Sequence, residues 1–424
     1  MSHFRRNAKS ILLWSIISAA FIGPGTVTTA AKAGASFGVG LLWALLFSIG
    51  ATVVLQEAAA RLSLASGKSL GAILSTRFQG KSGRRIKIAV FAAVAFGCAA
   101  YEMGNLLGAV SGLAMVVDLN VRVLSLIVAG LNAVVLWKGK LPWIARTLGI
   151  VVALMGLFFI YIAFQGINFA TDTALFAPLN ESSALLIIAL IGTTIVPYNL
   201  FLATGIGKGQ SVPEMRWGII SAVIIGGVIS VAILLVGTQL GGDFSFQNLA
   251  QTLASKSGNW AKTFFAFGLC AAGLSSAITA PVATAVTAKA LFGETWGEET
   301  RRFRAVSLSV LGIGLFFCLL QVKPVPAIIL AQAINGVLLP IIAIFLFQVI
   351  NDHAIIPEAF RNSKWNNTAM LLIVGVTAFL GIYNILKATE KVVNMAFPLA
   401  VSFAIGGTAS LALIFILWRK NRTI

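Results

Sequence analysis

Long apolar runs recur along the whole chain of 424 residues, and they limit its fold more than any other feature of the sequence. A run of about 18 or more residues is long enough to cross a hydrocarbon core of roughly 30 Å as an α-helix. Lipid offers the backbone no hydrogen-bond partners, so such runs form helices. We predict about twelve spans, near residues 11–34, 40–64, 86–116, 121–138, 143–165, 182–205, 216–240, 260–292, 303–321, 325–350, 367–388 and 392–418.

The hydrophilic pieces between the apolar runs are too short to be domains. The longest lie around residues 241–259 and 351–366. Hydrophobic residues make up 58% of the chain and charged residues 10%, a composition unlike that of soluble globular proteins. We therefore predict an all-α polytopic membrane protein with a single membrane domain over residues 1–424.

The net charge of +18 is distributed unevenly among the loops. Most lysines and arginines fall in loops on the same side as the N-terminus, including the clusters at 84–87 and 301–304. The positive-inside rule then places both termini in the cytosol of a multi-pass protein, which we expect in the cytoplasmic (inner) membrane. This distribution explains the charge without nucleic acid, so the predicted partners are the lipid bilayer and a small substrate, and we expect a monomer.

One short motif resembles a catalytic signature, but its context argues against an enzyme. GASFG at 34–38 matches the pattern of a serine nucleophile, which needs a nearby base. The only histidines are His3, at the N-terminus, and His353, in a predicted cytosolic loop. We therefore predict no enzymatic activity, no catalytic residues and no cofactor.

The first span contains a helix break. Pro24 lies between Gly23 and Gly25, where a continuous membrane helix would otherwise run. Proline removes a backbone hydrogen bond and clashes with the preceding turn, and flanking glycines lower the cost of unwinding. Because unwound backbone is tolerated at membrane depth only where it is buried in protein or lines a cavity, a break can mark a binding site, although a simple proline kink is the alternative.

The sixth span repeats this pattern around Pro197. Ile22-Gly23-Pro24-Gly25-Thr26 is echoed by Ile195-Val196-Pro197-Tyr198-Asn199. Interrupted helices at corresponding positions of two halves point to a transporter built from inverted repeats, with its substrate site at the midplane. We predict 5+5 inverted repeats with broken helices 1 and 6, one repeat at about 11–165, the second at about 182–350, and two further helices at about 367–418.

Several segments in order also resemble one family. The stretch from Phe21 through LLWALLFSIGATVVLQEAAARLSLASGKSL resembles the first two helices of the NRAMP (natural-resistance-associated macrophage protein) metal transporters. The similar later segments are VPYNLFLATG (196–205), AAGLSSAIT (271–279), ILAQAINGVLLP (329–340) and RNSKWNNTAMLLIVGVTAFLGIYNIL (361–386). The resemblance implies a leucine-transporter-like fold, alternating access and divalent metal ions as substrates.

The metal-binding positions of that family are altered in this chain. The family has Asp-Pro-Gly-Asn in its first helix and Met-Pro-His in its sixth, and the Asp, Asn and Met side chains bind the metal. Here the corresponding residues are Gly23, Thr26, Val196 and, for the histidine, Tyr198. The contacts that the resemblance still implies are backbone oxygens at Ala20 and Thr193, the Thr26 hydroxyl and the Gln332 amide.

The chemistry of these residues also argues against selectivity for Mn²⁺ or Fe²⁺. Divalent ions need hard oxygens, preferably carboxylates, and transition metals favour imidazole or sulfur as well. A central pocket would be formally uncharged and would consist of Ala20, Gly23, Thr26, Val196, Tyr198, Asn199 and Gln332. Such a pocket suits a hydrated or weakly bound cation, or a neutral or zwitterionic solute, so Mn²⁺ or Fe²⁺ selectivity is doubtful and we assign no metal ligands.

Two carboxylates, Glu57 and Glu102, lie well inside predicted spans. Intramembrane charge is often functional. Glu57 has Arg61 at i+4, which predicts an ion pair and leaves a role in proton movement or gating as the alternative. Glu102 resembles the third-helix glutamate associated with proton movement in the family, and a purely structural carboxyl is its alternative. Both are candidates for a proton pathway.

These observations leave three functions open. The first is an NRAMP-related secondary active transporter of divalent metal ions, working by alternating access and coupled to protons if Glu102 carries one. The second keeps this fold but moves a small neutral or zwitterionic organic solute such as an amino acid. The third is a sensor or scaffold that does not transport.

Overall fold

The computed structural model describes residues 10, 14, 22–77, 80–138, 141–166, 176–206, 210–393 and 398–422. Within these residues the regular structure is helical. The α-helices are α1 (Pro24–Phe37), α2 (Leu42–Ser66), α3 (Leu70–Arg77), α4 (Gly80–Leu113), α5 (Val121–Lys138), α6 (Leu141–Gly166), α7 (Glu181–Thr194), α8 (Pro197–Ile206), α9 (Val212–Gly237), α10 (Phe246–Ser257), α11 (Trp260–Phe292), α12 (Arg301–Leu319), α13 (Pro324–Ile350), α14 (Lys364–Val393) and α15 (Leu399–Arg422). Two 3-10 turns, Glu294–Trp296 and Glu358–Phe360, lie in loops.

The described residues contain 11 candidate membrane spans, with α7 and α8 together forming one of them. These agree with the second to twelfth predicted spans. Of the first predicted span, 11–34, the second half is α1, whereas residues 11–13 and 15–21 lie outside the described residues. The shorter helices α3 and α10 fall between spans.

The first span is interrupted at the predicted position. Ser10 and Trp14 are helical, but Ile22 and Gly23 are not, and α1 begins at Pro24. Gly23 has extended backbone (φ −110, ψ −176), which ends any helix that approaches from the N-terminal side. The missing N–H of Pro24 costs nothing at the first position of a helix, so the proline fits the start of α1.

The sixth span is interrupted at the equivalent proline. α7 ends at Thr194, Ile195 and Val196 are non-helical, and α8 begins at Pro197. The Ile195 N–H still bonds to the Ile191 carbonyl at 2.8 Å, so the chain leaves α7 in the next peptide. The limits of the two repeats around these breaks remain a prediction.

Glycines let the helices that surround the breaks approach closely. A Cβ on Gly108 of α4 would overlap the ring of Pro24, so α4 can pack against the first break only with glycine there. A Cβ on Gly192 of α7 would overlap the carbonyl oxygen of Gln332 in α13. Small residues at such crossings are typical of membrane helices, whose association depends on close packing. The two broken helices are therefore held against α4 and α13.

Candidate functional site

The two helix breaks meet in the middle of the bundle. The Thr26 hydroxyl, in the first turn of α1, lies 3.0 Å from the Thr193 hydroxyl near the end of α7. Thr26 and Thr193 are each 1% exposed. The breaks at Pro24 and Pro197 therefore lie next to each other, the arrangement that paired interrupted helices predict for a site.

Gln332 of α13 brings a third helix to this point. Its amide lies directly over Gly25, where any Cβ would overlap the amide nitrogen. Neither the nitrogen nor the oxygen of this buried amide has a hydrogen-bond partner among the described residues. Buried polar atoms are normally paired, so an unpaired amide beside a helix break indicates a place for a ligand or for water.

Ser276 of α11 is a member of the site that sequence reasoning did not select. Its hydroxyl oxygen lies 2.9 Å from the position that a Cβ on Gly23 would occupy. The hydroxyl is buried and unpartnered within the described residues. In the sequence, Ser276 is one of several small polar residues at helix-packing positions, and only the structure shows that it faces the break.

The residues around the second break are buried but differ in character. Val196 offers an apolar side chain, and Tyr198 packs edge-on against Tyr101 of α4 with ring centroids 5.8 Å apart. Tyr101 donates a hydrogen bond to the Gly192 carbonyl at 2.7 Å. The Tyr198 hydroxyl and both amide atoms of Asn199 have no partner within the described part of the chain.

Ala20, the remaining predicted contact, lies outside the described residues. The described candidates are nearly all closed off from solvent, since Thr26, Thr193, Val196, Tyr198, Asn199 and Gln332 are each 1% exposed or less. The structure therefore describes a shut site.

The donor atoms of the site are uncharged. They are hydroxyls, amides and backbone oxygens, and the described residues contain no group of three or more His, Cys, Asp or Glu that could hold a metal ion. A divalent ion stripped of all its water would lose far more hydration energy than such neutral groups return. This arrangement therefore favours a cation that keeps part of its water or a neutral solute.

Glu102 lies on α4, close to the site but on another face of the helix. It is 0% exposed, and neither carboxylate oxygen has a hydrogen bond or ion pair among the described residues. Its backbone and Cγ pack closely against Gly314 of α12.

Glu57, the other intramembrane carboxylate, is held by two arginines. Its oxygens accept hydrogen bonds from Arg61 Nε at 3.0 and 3.1 Å and from Arg216 Nε of α9 at 2.8 Å. Arg61 also donates to the Phe360 carbonyl and, at 2.5 Å, to Asn362 Oδ1. The predicted pair with Arg61 is thus present, and it forms part of a network that joins α2, α9 and the loop before α14.

Comparison with known proteins accounts for this architecture. Residues 15–387 match the family model described as natural resistance-associated macrophage protein-like (Nramp). The divalent metal cation transporter MntH of Bacillus subtilis (strain 168) is 24% identical over 399 residues, covering 87% of this chain and 89% of that protein. MntH of Staphylococcus haemolyticus is 24% identical over 413 residues, covering 89% of this chain and 91% of that one.

Solved structures agree with this assignment. The manganese transporter of Eremococcus coleocola superposes with a TM-score of 0.77 at 16% identity, covering 98% of this chain and 94% of that one. Mhp1, a nucleobase-cation-symport-1 family transporter, gives a TM-score of 0.58 at 16% identity, with 98% and 92% covered. These likenesses confirm the predicted leucine-transporter-like fold, and the family match confirms the resemblance seen in the sequence. The chain belongs to the Nramp family.

Proposed function

We propose that the chain is a secondary transporter that carries a divalent cation, with part of its water retained, through the site between the two helix breaks. Family membership and the MntH relatives support a divalent metal cation as the substrate. The observation that carries the finer proposal is the set of unpartnered, uncharged polar atoms at Gln332, Ser276 and Asn199.

Retained water follows from the donor set. Mg²⁺ gives up its water reluctantly and usually keeps several water molecules when it binds to protein. Hydroxyls and amides can bond to such waters, whereas Mn²⁺ or Fe²⁺ selectivity needs softer groups than the site provides. Mg²⁺ is therefore the proposed model substrate.

Because the site is buried, a substrate can enter and leave only if helices move, as they do in an alternating-access mechanism. The non-helical residues Ile22 and Gly23, and Ile195 and Val196, are places where backbone angles can change without breaking a continuous helix. Hinges of this kind let one group of helices rock against another around a fixed site. We propose that opening toward either side of the membrane occurs at these two points.

Gln332→Leu tests the site. In proteoliposomes of the wild-type protein we expect Mg²⁺ uptake above that of protein-free liposomes. Leucine keeps the approximate size of glutamine but removes both amide groups, so we expect uptake to fall at least tenfold. Fluorescence of a trapped Mg²⁺ indicator gives the rate.

Gln251→Leu is the matched control, since Gln251 is exposed on α10. Its uptake should equal that of the wild type. If the Gln332 variant took up Mg²⁺ as fast as the wild type, the proposed site would be wrong. If liposomes with wild-type protein took up no divalent ion faster than protein-free liposomes, cation transport would be contradicted.

A small neutral or zwitterionic solute is the second candidate, and one observation favours it. The unpartnered atoms include two amide nitrogens, Gln332 Nε2 and Asn199 Nδ2, which donate hydrogen bonds and so cannot ligate a cation. Calorimetric titration of the purified protein with metal ions separates the two candidates. Micromolar binding of Mn²⁺ or Mg²⁺ would contradict an organic solute as the substrate. The absence of a binding signal with every divalent ion tested would contradict a cation as the substrate.

We also propose that Glu102 carries a proton during transport. With Glu102→Gln, uptake driven by an inward proton gradient should fall at least tenfold, because the amide cannot release a proton, while substrate exchange without a gradient should persist. Glu299→Gln, at an exposed loop carboxylate, is the control. Unchanged proton dependence in the Glu102 variant would exclude it as the carrier.

The membrane setting of this proposal follows from the charge distribution. We propose a monomer in the cytoplasmic membrane with both termini in the cytosol. In that orientation, the network of Glu57 with Arg61 and Arg216 lies at the cytosolic end of the bundle. We propose that it holds α2 and α9 together when the site is closed to that side.

A further inference from the structure

A long apolar groove runs along the outside of the bundle between α4, α12 and α13. Its volume is about 830 Å³. The side chains along it include Phe96, Ile313 and Leu330, which are 59%, 45% and 54% exposed. In a membrane-spanning protein such side chains face lipid, so the groove opens to the hydrocarbon.

One end of the groove carries a cation over an aromatic ring. The guanidinium of Arg302 lies 5.5 Å from the ring centroid of Trp296, and both residues line the groove. Arg302 is exposed, and within the described residues no carboxylate lies within ion-pair distance of it. The neighbouring Glu294 and Glu298 instead approach Lys289, at 3.8 and 3.7 Å.

This charged end lies where the headgroups of a bilayer would be. Arg302 is in the first turn of α12, at the end of the bundle that the positive-inside rule assigns to the cytosol. Tryptophan is enriched at the same membrane depth. The cytoplasmic leaflet is the one that carries anionic lipid, and basic pockets between membrane helices bind its headgroups.

The groove is long enough to hold the acyl chain of a lipid. On α12 its lining extends from Arg302 to Phe317, which at 1.5 Å per residue is roughly 22 Å. One leaflet of a 30 Å hydrocarbon core is about 15 Å deep. The groove is therefore long enough to hold an acyl chain through the full depth of one leaflet while the headgroup stays at Arg302.

We propose that this groove is a binding site for one anionic diacyl phospholipid of the cytoplasmic leaflet. Its phosphate accepts hydrogen bonds from Arg302, its glycerol region lies beside Trp296, and one acyl chain follows the apolar lining between α4 and α12. The floor of the groove includes Ala99 and Met103, which flank Glu102 on α4. The bound lipid thus seals the hydrocarbon side of the helix that carries this buried carboxyl.

A second groove on the same bundle provides an internal comparison. It has a volume of about 470 Å³, lies between α2, α7, α14 and α15, and is lined by residues such as Trp43, Phe176 and Leu411. Its described lining contains no charged side chain. Lipid there has no cation to recognise, so this groove should take any acyl chain without headgroup preference.

Native mass spectrometry of the detergent-purified protein tests the proposal with two lipids of equal chain length. Wild-type protein should retain one phosphatidylglycerol in preference to phosphatidylcholine. Arg302→Gln should lower phosphatidylglycerol binding about fivefold, since a basic residue near anionic lipid contributes about 1 kcal/mol, and leave phosphatidylcholine binding unchanged. Ala305→Phe, which fills the groove near its charged end, should lower the binding of both lipids.

Arg301→Gln is the matched control, because Arg301 is an exposed neighbour that does not line the groove. It should keep the preference of the wild type. If the Arg301 and Arg302 variants lost phosphatidylglycerol binding equally, the preference would come from general surface charge, and the proposed lipid site would be wrong. Equal retention of the two lipids by wild-type protein would overturn the proposal without reference to any variant.

Discussion

Gly23→Asp combined with Thr26→Asn and Val196→Met should give this chain Mn²⁺ binding with a Kd of about 1 μM, at least about a hundredfold tighter than in the unaltered site. The three changes place a carboxylate, an amide and a thioether at the positions where, by the sequence resemblance, the family binds its metal. A carboxylate offsets the cost of removing water from the ion, and the thioether suits a transition metal. Isothermal titration calorimetry of the purified variant measures the affinity, which corresponds to about 8.2 kcal/mol.

The structure adds one requirement to this experiment. The new Cβ at residue 23 would lie 2.9 Å from the Ser276 hydroxyl, so that side chain has to rotate. Ser276→Ala in the same background removes the close contact and should preserve or tighten binding. The matched control keeps Gly23 and carries only Thr26→Asn with Val196→Met, and it should bind Mn²⁺ no more than about tenfold tighter than the unaltered site. A folded variant with all three changes that binds no Mn²⁺ would show that more than the three ligand positions separates this site from its relatives.

Gly192→Ala should lower the free energy of unfolding by about 3 kcal/mol. The added methyl group overlaps the backbone carbonyl of Gln332, and a carbonyl within a helix cannot rotate away as a side chain can. α7 and α13 must therefore separate, which costs packing along both helices. Thermal unfolding in detergent, followed by circular dichroism, measures the loss.

Gly50→Ala is the control for helix propensity, because a Cβ at Gly50 in α2 meets nothing within 4 Å. It should be neutral or stabilising by up to about 1 kcal/mol. If Gly192→Ala matched Gly50→Ala in stability, α7 and α13 would not be in backbone contact, and the assembly of Gln332 with the two breaks would be wrong.

The breaks could be predicted from the sequence because proline acts locally. Pro24 and Pro197 each remove a helical hydrogen bond, and the structure has non-helical residues before both. Pro281 and Pro340 lie inside continuous helices, so the glycines that flank Pro24 and the repetition of the pattern at Pro197 were the informative signals. The position and order of the second to twelfth spans were equally accessible, since crossing a hydrocarbon core fixes the length of an apolar run. Both properties depend on neighbours in the chain.

The detailed site depends on contacts between distant residues, and there the sequence was less informative. Ser276 lies 253 positions from Gly23, and no local signal distinguishes it from serines that pack between helices. Gln332 was predicted through the family resemblance, but its position over Gly25 follows from how α13 crosses α1. The packing that leaves both amide atoms unpaired became visible only in three dimensions.

Retention of the fold and loss of the ligands are separate properties of this chain. Pro24, Gly25 and Gly108 preserve an interrupted helix and the space that it needs. By the sequence resemblance, Gly23 and Val196 stand where the family has side chains that bind a transition metal. A fold hosts many functions, so the chemistry of these positions outweighs the architecture in assigning a substrate.

Competition between Mg²⁺ and Mn²⁺ for uptake into wild-type proteoliposomes tests the central claim most directly. A site of neutral groups that binds an ion through retained water should show little preference. We predict that uptake of Mg²⁺ is reduced by an equal concentration of Mn²⁺ no more than about twofold. Uptake of micromolar Mn²⁺ that persists in a thousandfold excess of Mg²⁺ would contradict the account.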